Sequence, residues 1–324
     1  GMQYEAVSVA DGSRFLLIPE GGKVPEDLPD SIQVLKRPVK QIYLVATATM
    51  DMFRMLGALP DIRFSGTDAS GWYIPEAKEA MENGSILYAG KYSEPDYERI
   101  VSEGCGLAIE NTMILHSPEV KEKLEALGIP VLVERSSYET HPLGRLEWIR
   151  LYGVLFGKEE QADAFYQEQV AKVEPIMKKD ATDQTMAFFY VTSNGSVNVR
   201  KPGDYIAKMI QLAGGSYLPQ AVKEDDENAL STMNMQMEDF YAQAKDADIL
   251  IYNSTIEGEL DSVDTLLAKS PLFADFKAVK EGKVYCTTAD FFQETTGIAS
   301  FIEDLHAVMT GDTSHELKYL KEVK

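Results

Sequence analysis

Cysteine, histidine and tryptophan are scarce in this chain: two, four and two among 324 residues. Cys105 and Cys286 lie far apart and make no Cys-x-x-Cys pair, so neither a redox dithiol nor a cysteine-built metal site is encoded. Both read as small core residues rather than as a disulfide. His116, His141, His306 and His315 show no ligand spacing, so no zinc site is expected; His116 alone follows a predicted strand end. Catalytic signatures are missing as well. There is no Gly-x-Ser-x-Gly elbow, no Walker phosphate loop, no dinucleotide-binding glycine fingerprint and no His-Glu-x-x-His. No apolar run approaches the ~20 residues that a helix needs to cross a bilayer. Positive charge is in short supply: 31 Lys and Arg against 52 Asp and Glu give a formal net charge of -21. Such a surface repels phosphate backbones, which excludes nucleic acid as an expected partner. Gly1-Met2 reads as a cloning remnant, and the residues after it have neither the basic end nor the apolar stretch of a signal peptide. The expectation is that an export signal has been removed.

What is present is an ordinary globular composition, 44% hydrophobic and 26% charged, in a chain long enough for two domains. At its middle, Lys158 to Lys178 carries apolar residues at Ala162, Phe165, Tyr166, Val170, Val173, Ile176 and Met177. Offsets of three and four place them on one helix face. Glu159, Glu160 and Asp163 open the helix and Lys178 and Lys179 close it, the charge order that a helix dipole favours; Pro175 weakens or bends the last turn. A rigid strut is predicted, joining a first lobe over 1–157 to a second over 180–324, with the strut itself over 158–179.

Around the strut, strand-like and helix-like stretches alternate. Tyr4 to Ile18 folds about Asp11-Gly12 as a β-hairpin, and a Pro- and acid-rich connector follows. Val39–Val45, Ile62–Gly66, Leu107–Glu110 and Ile129–Glu134 read as strands. Asp51–Leu56, Glu76–Glu82, a segment with Pro95 in its first turn, Glu119–Leu127 and Leu146–Phe156 read as helices. The second lobe gives strands at Met186–Thr192, Asp248–Tyr252 and Lys283–Thr287. Its helices are expected at Asp204–Ala213, Met237–Ala244, Val263–Ala268, Phe273–Phe276 and Gly297–Met309. Helices between buried strands make an α/β protein with parallel-type sheets. Such folds bind small molecules on loops at the carboxyl ends of strands. Those loops carry Trp72, Tyr73, Tyr92, Arg135 and Tyr138 in the first lobe, and Arg200, Phe291 and Phe292 in the second. Aromatic rings offer flat apolar area and arginines a fork for anionic groups, so the set predicts a binding site without a nucleophile.

Several blocks, in this order, resemble the substrate-binding proteins of ABC importers for iron–siderophore, haem and cobalamin. They are Gln41-Ile-Tyr-Leu-Val, Pro95-Asp-Tyr-Glu-Arg-Ile, Leu127-Gly-Ile-Pro-Val, Tyr152-Gly-Val-Leu-Phe-Gly-Lys-Glu-Glu-Gln-Ala, Met209-Ile-Gln-Leu-Ala-Gly-Gly and Pro271-Leu-Phe-Ala-Asp-Phe-Lys-Ala-Val-Lys-Glu-Gly-Lys-Val-Tyr. The resemblance implies two Rossmann-like lobes joined by one long helix, with the ligand cleft between them. It also implies a monomer outside the cytoplasm, free or lipid-anchored, that delivers a metal chelate to an ABC permease, with no cofactor and no catalysis of its own. Glu98 matches the family's permease-docking glutamate of the first lobe, and Glu238, within Met-Glu-Asp-Phe, that of the second. The N-terminal hairpin and the block Pro142-Leu-Gly-Arg-Leu-Glu-Trp fall outside the family pattern, and Gly104-Cys105-Gly106 replaces its usual proline and aspartate. A two-lobe enzyme, a chelatase or a transferase, is the alternative; it needs a general base or metal ligand that four scattered histidines supply poorly. A sugar or amino-acid binder is disfavoured by the single strut.

Overall fold

Residues 4–220 and 232–324 are described by the computed structural model; the Gly1-Met2 pair lies outside them. The chain divides into two compact units, Gly1–Ser137 with Glu147–Tyr166, and Tyr138–Leu146 with Gln167–Lys324. The backbone therefore changes unit at 137/138, at 146/147 and inside the central helix at 166/167. One passage, through the helix alone, was expected. The added excursion has a physical anchor: Arg145 lays its guanidinium 3.8 Å over the ring of Tyr205, and both residues are buried in the second unit.

In the first unit, β1 (Glu5–Ser8) and β2 (Arg14–Ile18) form the antiparallel hairpin that the alternation predicts. A further strand, β3 (Ile32–Lys36), pairs parallel with β2. Its half-buried pattern, following a Pro-rich connector, gave no clear period. Next come β4 (Ile42–Leu44), α1 (Thr47–Met55), β5 (Ile62–Ser65), α2 (Pro75–Glu82), β6 (Leu87–Tyr88), α3 (Tyr97–Ser102), β7 (Leu107–Glu110), α4 (Pro118–Ala126) and β8 (Val131–Val133). These strands make a five-stranded sheet in the order β6-β5-β4-β7-β8, parallel throughout. Every residue of β4, β7 and β8 is buried, the mark of strands covered on both faces. Alternate residues feed two cores. Ile42, Leu44, Leu107 and Ile109 meet α1 residues such as Met50 and Phe53, while Tyr43 and Ala108 meet Ile100, Val120 and Leu124 of α3 and α4.

Two long helices follow, α5 (Pro142–Phe156) and α6 (Glu159–Met177), with Pro175 inside the second. Gly153 lets them approach: a Cβ there would come within 2.6 Å of the Ala162 methyl. Phe15, Leu17 and Leu35 of the N-terminal sheet pack into the same core as Ile149, Tyr152 and Leu155 of α5. The hairpin outside the family pattern is thus part of the first unit's core.

The second unit contains β9 (Thr185–Val191), β10 (Val197–Arg200), α7 (Tyr205–Leu212), β11 (Ser216–Leu218), β12 (Thr232–Met235), α8 (Met237–Ala244), β13 (Ile249–Tyr252), α9 (Ser254–Glu257), α10 (Val263–Lys269), α11 (Lys277–Lys280), β14 (Val284–Thr287), α12 (Ile298–Thr310) and β15 (Leu320–Glu322). The described strands order as β12-β10-β9-β13-β14-β15, with β11 also on β9. The centre, β11, β9, β13 and β14, is parallel, but β10, β12 and β15 join by antiparallel pairs. This sheet is mixed, where a parallel one was expected. The reason is local: the turn from Thr192 to Ser196, closed by Thr192 N–H on the Ser196 carbonyl at 2.8 Å, is too short for a parallel crossover. Phe273 sits in a short 3-10 helix, Pro271–Asp275, not an α-helix.

Candidate functional site

Because β4 to β8 all run the same way, the loops that leave their carboxyl ends gather at one edge of the first unit's sheet. Tyr73 stands there after β5 and is 54% exposed. Its neighbour Trp72 is a core residue instead, 3% exposed, with the indole N–H donating to Ser65 Oγ at 3.2 Å. The aromatic pair predicted from sequence therefore splits: one ring packs and the other is presented. Tyr92, after β6, is half-buried against the core that holds Tyr43, and Arg135, after β8, is half-buried. After β7 comes a short 3-10 helix, Thr112–His116, capped by Asn111, whose side chain accepts from Met113 N–H at 2.9 Å. Ile114 points inward, whereas Met113, Leu115 and His116 are exposed. Sequence reasoning missed Met113 and Leu115. Large apolar side chains left in water at a strand's carboxyl end are the usable signal, and they need the strand direction to be recognised.

In the second unit, Arg200 is occupied internally. Its guanidinium makes a two-point pair with Asp204, at 2.8 and 3.1 Å, and lies 5.3 Å from the Tyr205 ring and 5.4 Å from that of Phe292. Burial works against the charge on Arg200, and the Asp204 carboxylate outweighs it, leaving the guanidinium pKa raised. Arg200 does not end at the sheet's carboxyl edge, as expected, because β10 runs back along β9: Val199 pairs with Phe189, which sets Arg200 beside the middle of that strand. Phe291 is a packing residue, 6% exposed, with its ring 4.3 Å from Phe301; Phe292 is half-buried and stacks edge-on at 6.4 Å to Phe188. Tyr138 counts with this unit and is exposed.

The segment outside the family pattern adds charge beside Arg200. Arg145 and Arg200 both lie over the Tyr205 ring. Burial raises the Tyr205 phenol pKa against the opposing pull of the two guanidinium groups. His141, on the same segment, has its pKa lowered by burial and by Lys208. Asp204 balances the Arg200 charge and the lowered pKa keeps His141 neutral at pH 7, so these groups belong to the packing around Tyr205.

Glu98 and Glu238 are both exposed and both stand in the first turn of their helices, α3 and α8. Pro95 precedes the cap residue Asp96 rather than entering the helical turn. Each helix follows the carboxyl end of a strand, α3 after β6 and the loop 89–96, and α8 directly after β12, which places each glutamate toward the rim of its own unit. Among the described residues no group of three or more His, Cys, Asp or Glu could hold a metal ion, and no helix is long and apolar enough to cross a membrane.

Comparison with known proteins agrees with this architecture. An uncharacterised lipoprotein of Methanocaldococcus jannaschii is 24% identical over 310 residues, spanning 90% of this chain and 70% of that protein. A periplasmic binding protein from Veillonella parvula superposes with a TM-score of 0.69 at 15% identity, covering 96% of this chain and 99% of that one. The periplasmic heme binding protein HutB of Vibrio cholerae gives a TM-score of 0.66 at 15% identity, covering 82% and 98%. With the profile of the family described as "Periplasmic binding protein" matching residues 44–291, most of a 324-residue chain, this protein belongs to the periplasmic binding protein family.

Proposed function

We propose that the protein is the extracytoplasmic solute-binding component of an ABC importer, capturing an iron chelate (a ferric siderophore or haem) or cobalamin and delivering it to a membrane permease. The observation that carries this reading is the set of solvent-facing apolar side chains, Tyr73, Met113 and Leu115, at the carboxyl edge of a fully parallel sheet. Flat apolar area there suits a macrocycle or a wrapped chelate better than a small sugar. Haem binding by a structural neighbour and the lipoprotein character of a relative support it.

Titration with haem, a ferric hydroxamate siderophore and cobalamin, followed by protein fluorescence, tests the reading. One of the three is expected to bind, and Tyr73→Ala and Leu115→Ala each to weaken it by about 1–3 kcal/mol, the range of interface anchors. Binding of a sugar or an amino acid with none of the three chelates defeats the reading.

Glu98 and Glu238 are assigned to permease docking, where exposed carboxylates would meet arginines in bidentate pairs. Glu98→Arg and Glu238→Arg are each expected to leave chelate affinity within twofold while cutting uptake at least tenfold in cells, since like charge then faces like charge. Normal uptake by both variants removes the assignment.

A further inference from the structure

We propose that Glu110 makes the turn between β7 and α4 a proton-controlled latch: the turn closes over the carboxyl group only while that group is neutral, and loosens as pH rises. Glu110 is the last residue of β7 and is 0% exposed. Strand alternation aims it to the same side as Ala108, into the core of Tyr43, Ile100, Ile114 and Val120,. Both of its carboxyl oxygens are buried there without a hydrogen-bond partner. A carboxyl group in such a place is tolerated only in its neutral form. Burial accordingly pushes its pKa up to about 8.

The titratable groups around it do not offset that burial. Tyr43, on β4, gives its hydroxyl to the Gly90 carbonyl at 2.7 Å, and Cys105 lies beyond Tyr43, its thiol pushed up to about 11 by burial. From α3 comes Tyr97, whose pKa is raised by burial, by Glu110 and by Glu119 of α4. Lys123, also on α4, rests its amine 3.8 Å over the Tyr97 ring. The cover that continues directly from Glu110 is the five-residue 3-10 turn Thr112–His116, anchored by one buried side chain, Ile114, and by the Asn111 cap.

Lifting that turn hydrates the carboxyl group and returns it to the ordinary value of 4.5, against about 8 when closed. The open form thus releases its proton first, so opening gains about tenfold per pH unit between those values and levels off above the higher one. Met113 and Leu115 ride on the same turn, so ligand retention should weaken over the same interval. That consequence rests on the proposed function; the latch itself does not.

Amide hydrogen exchange of residues 111–117 in the ligand-free full chain, corrected for intrinsic rates, should rise about tenfold per pH unit from about pH 5 to 8 and then flatten. In Glu110→Gln the corrected rates should be flat. A flat wild-type profile, or a parallel rise in the variant, overturns the latch. If the variant does not fold, the carbon-13 shift of the Glu110 carboxyl in the wild type decides: a midpoint near 8 supports the proposal and one below about 6 overturns it. Haem dissociation should be faster at high than at low pH in the wild type but not in the variant. Exchange that follows the latch while haem dissociation ignores pH leaves the latch standing and removes Met113 and Leu115 from the ligand site.

Discussion

Replacing Arg200 with alanine lowers the stability of the second unit by about 3–5 kcal/mol, the usual cost of removing one partner from a buried ion pair. Asp204 has a side chain only 1% exposed and Arg200 one 12% exposed, so the remaining carboxylate has no water to turn to. The damage spreads along the chain, because Asp204 also caps α7 by accepting from Ile206 N–H at 2.8 Å. The Arg200 carbonyl, in turn, accepts from the Tyr217 hydroxyl at 2.7 Å. Urea melts should show the loss in Arg200→Ala and recovery of more than half of it in the double variant Arg200→Ala, Asp204→Asn, whose amide is neutral and still able to cap. A single variant within about 1 kcal/mol of the wild type removes the structural role. Arg200 would then return to the set of ligand contacts that its place after a strand first suggested.

That reversal shows where sequence reasoning carried and where it stopped. The central helix was legible to within one or two residues at each end, because nineteen residues of apolar period and ordered end charges leave no other solution. In the first unit β4, β5, β7 and β8 were legible for a related reason, since they read as short, largely buried apolar runs, whereas β3 and the two-residue β6 were missed. Short strands with exposed residues gave no such signal. β10, β11, β12 and β15 are three or four residues long and partly exposed, and missing β10 misplaced Arg200. Trp72 shows a second limit. Its position after a strand was read correctly, but whether an indole turns toward water or toward Ser65 depends on the space beneath it, which one-dimensional spacing does not contain. Met113 and Leu115 mark the converse error, since apolar residues are assumed buried unless the fold shows them exposed. Glu110 was legible as a strand residue and illegible as a buried acid, for the core that buries it is assembled from β4, α3, the turn at 112–116 and α4 together, which spacing along the chain does not contain.

Asp304→Ala is expected to unfasten the carboxyl-terminal segment and to cost on the order of 4 kcal/mol, the sum of several hydrogen bonds to one buried carboxylate less what the freed amides regain from water. The side chain is 0% exposed in α12. It accepts from the backbone N–H groups of Lys318, at 2.9 Å, Tyr319, at 2.7 Å, and Leu320, at 3.2 Å. His315 Nε2 lies 2.7 Å from its other oxygen. Bonds to three consecutive amides from one carboxylate help to set the bend that brings β15 antiparallel onto β14. Once there, Tyr319 donates its hydroxyl to Glu294 at 2.6 Å and accepts from Thr288 N–H at 3.0 Å. Both partners belong to the stretch after β14 that carries Phe291 and Phe292. Losing Asp304 should therefore loosen residues 288–297 together with 315–324. Faster hydrogen exchange in both stretches, with the first unit's sheet unchanged, is the expected pattern, and trypsin should cut near Lys318 and Lys321. Asp304→Asn, which keeps an acceptor oxygen but gives up the charge, should fall between the two. If the alanine variant melts within a few degrees of the wild type and resists trypsin, the tail is held by Tyr319 and the β14 pairing, and the carboxylate is secondary.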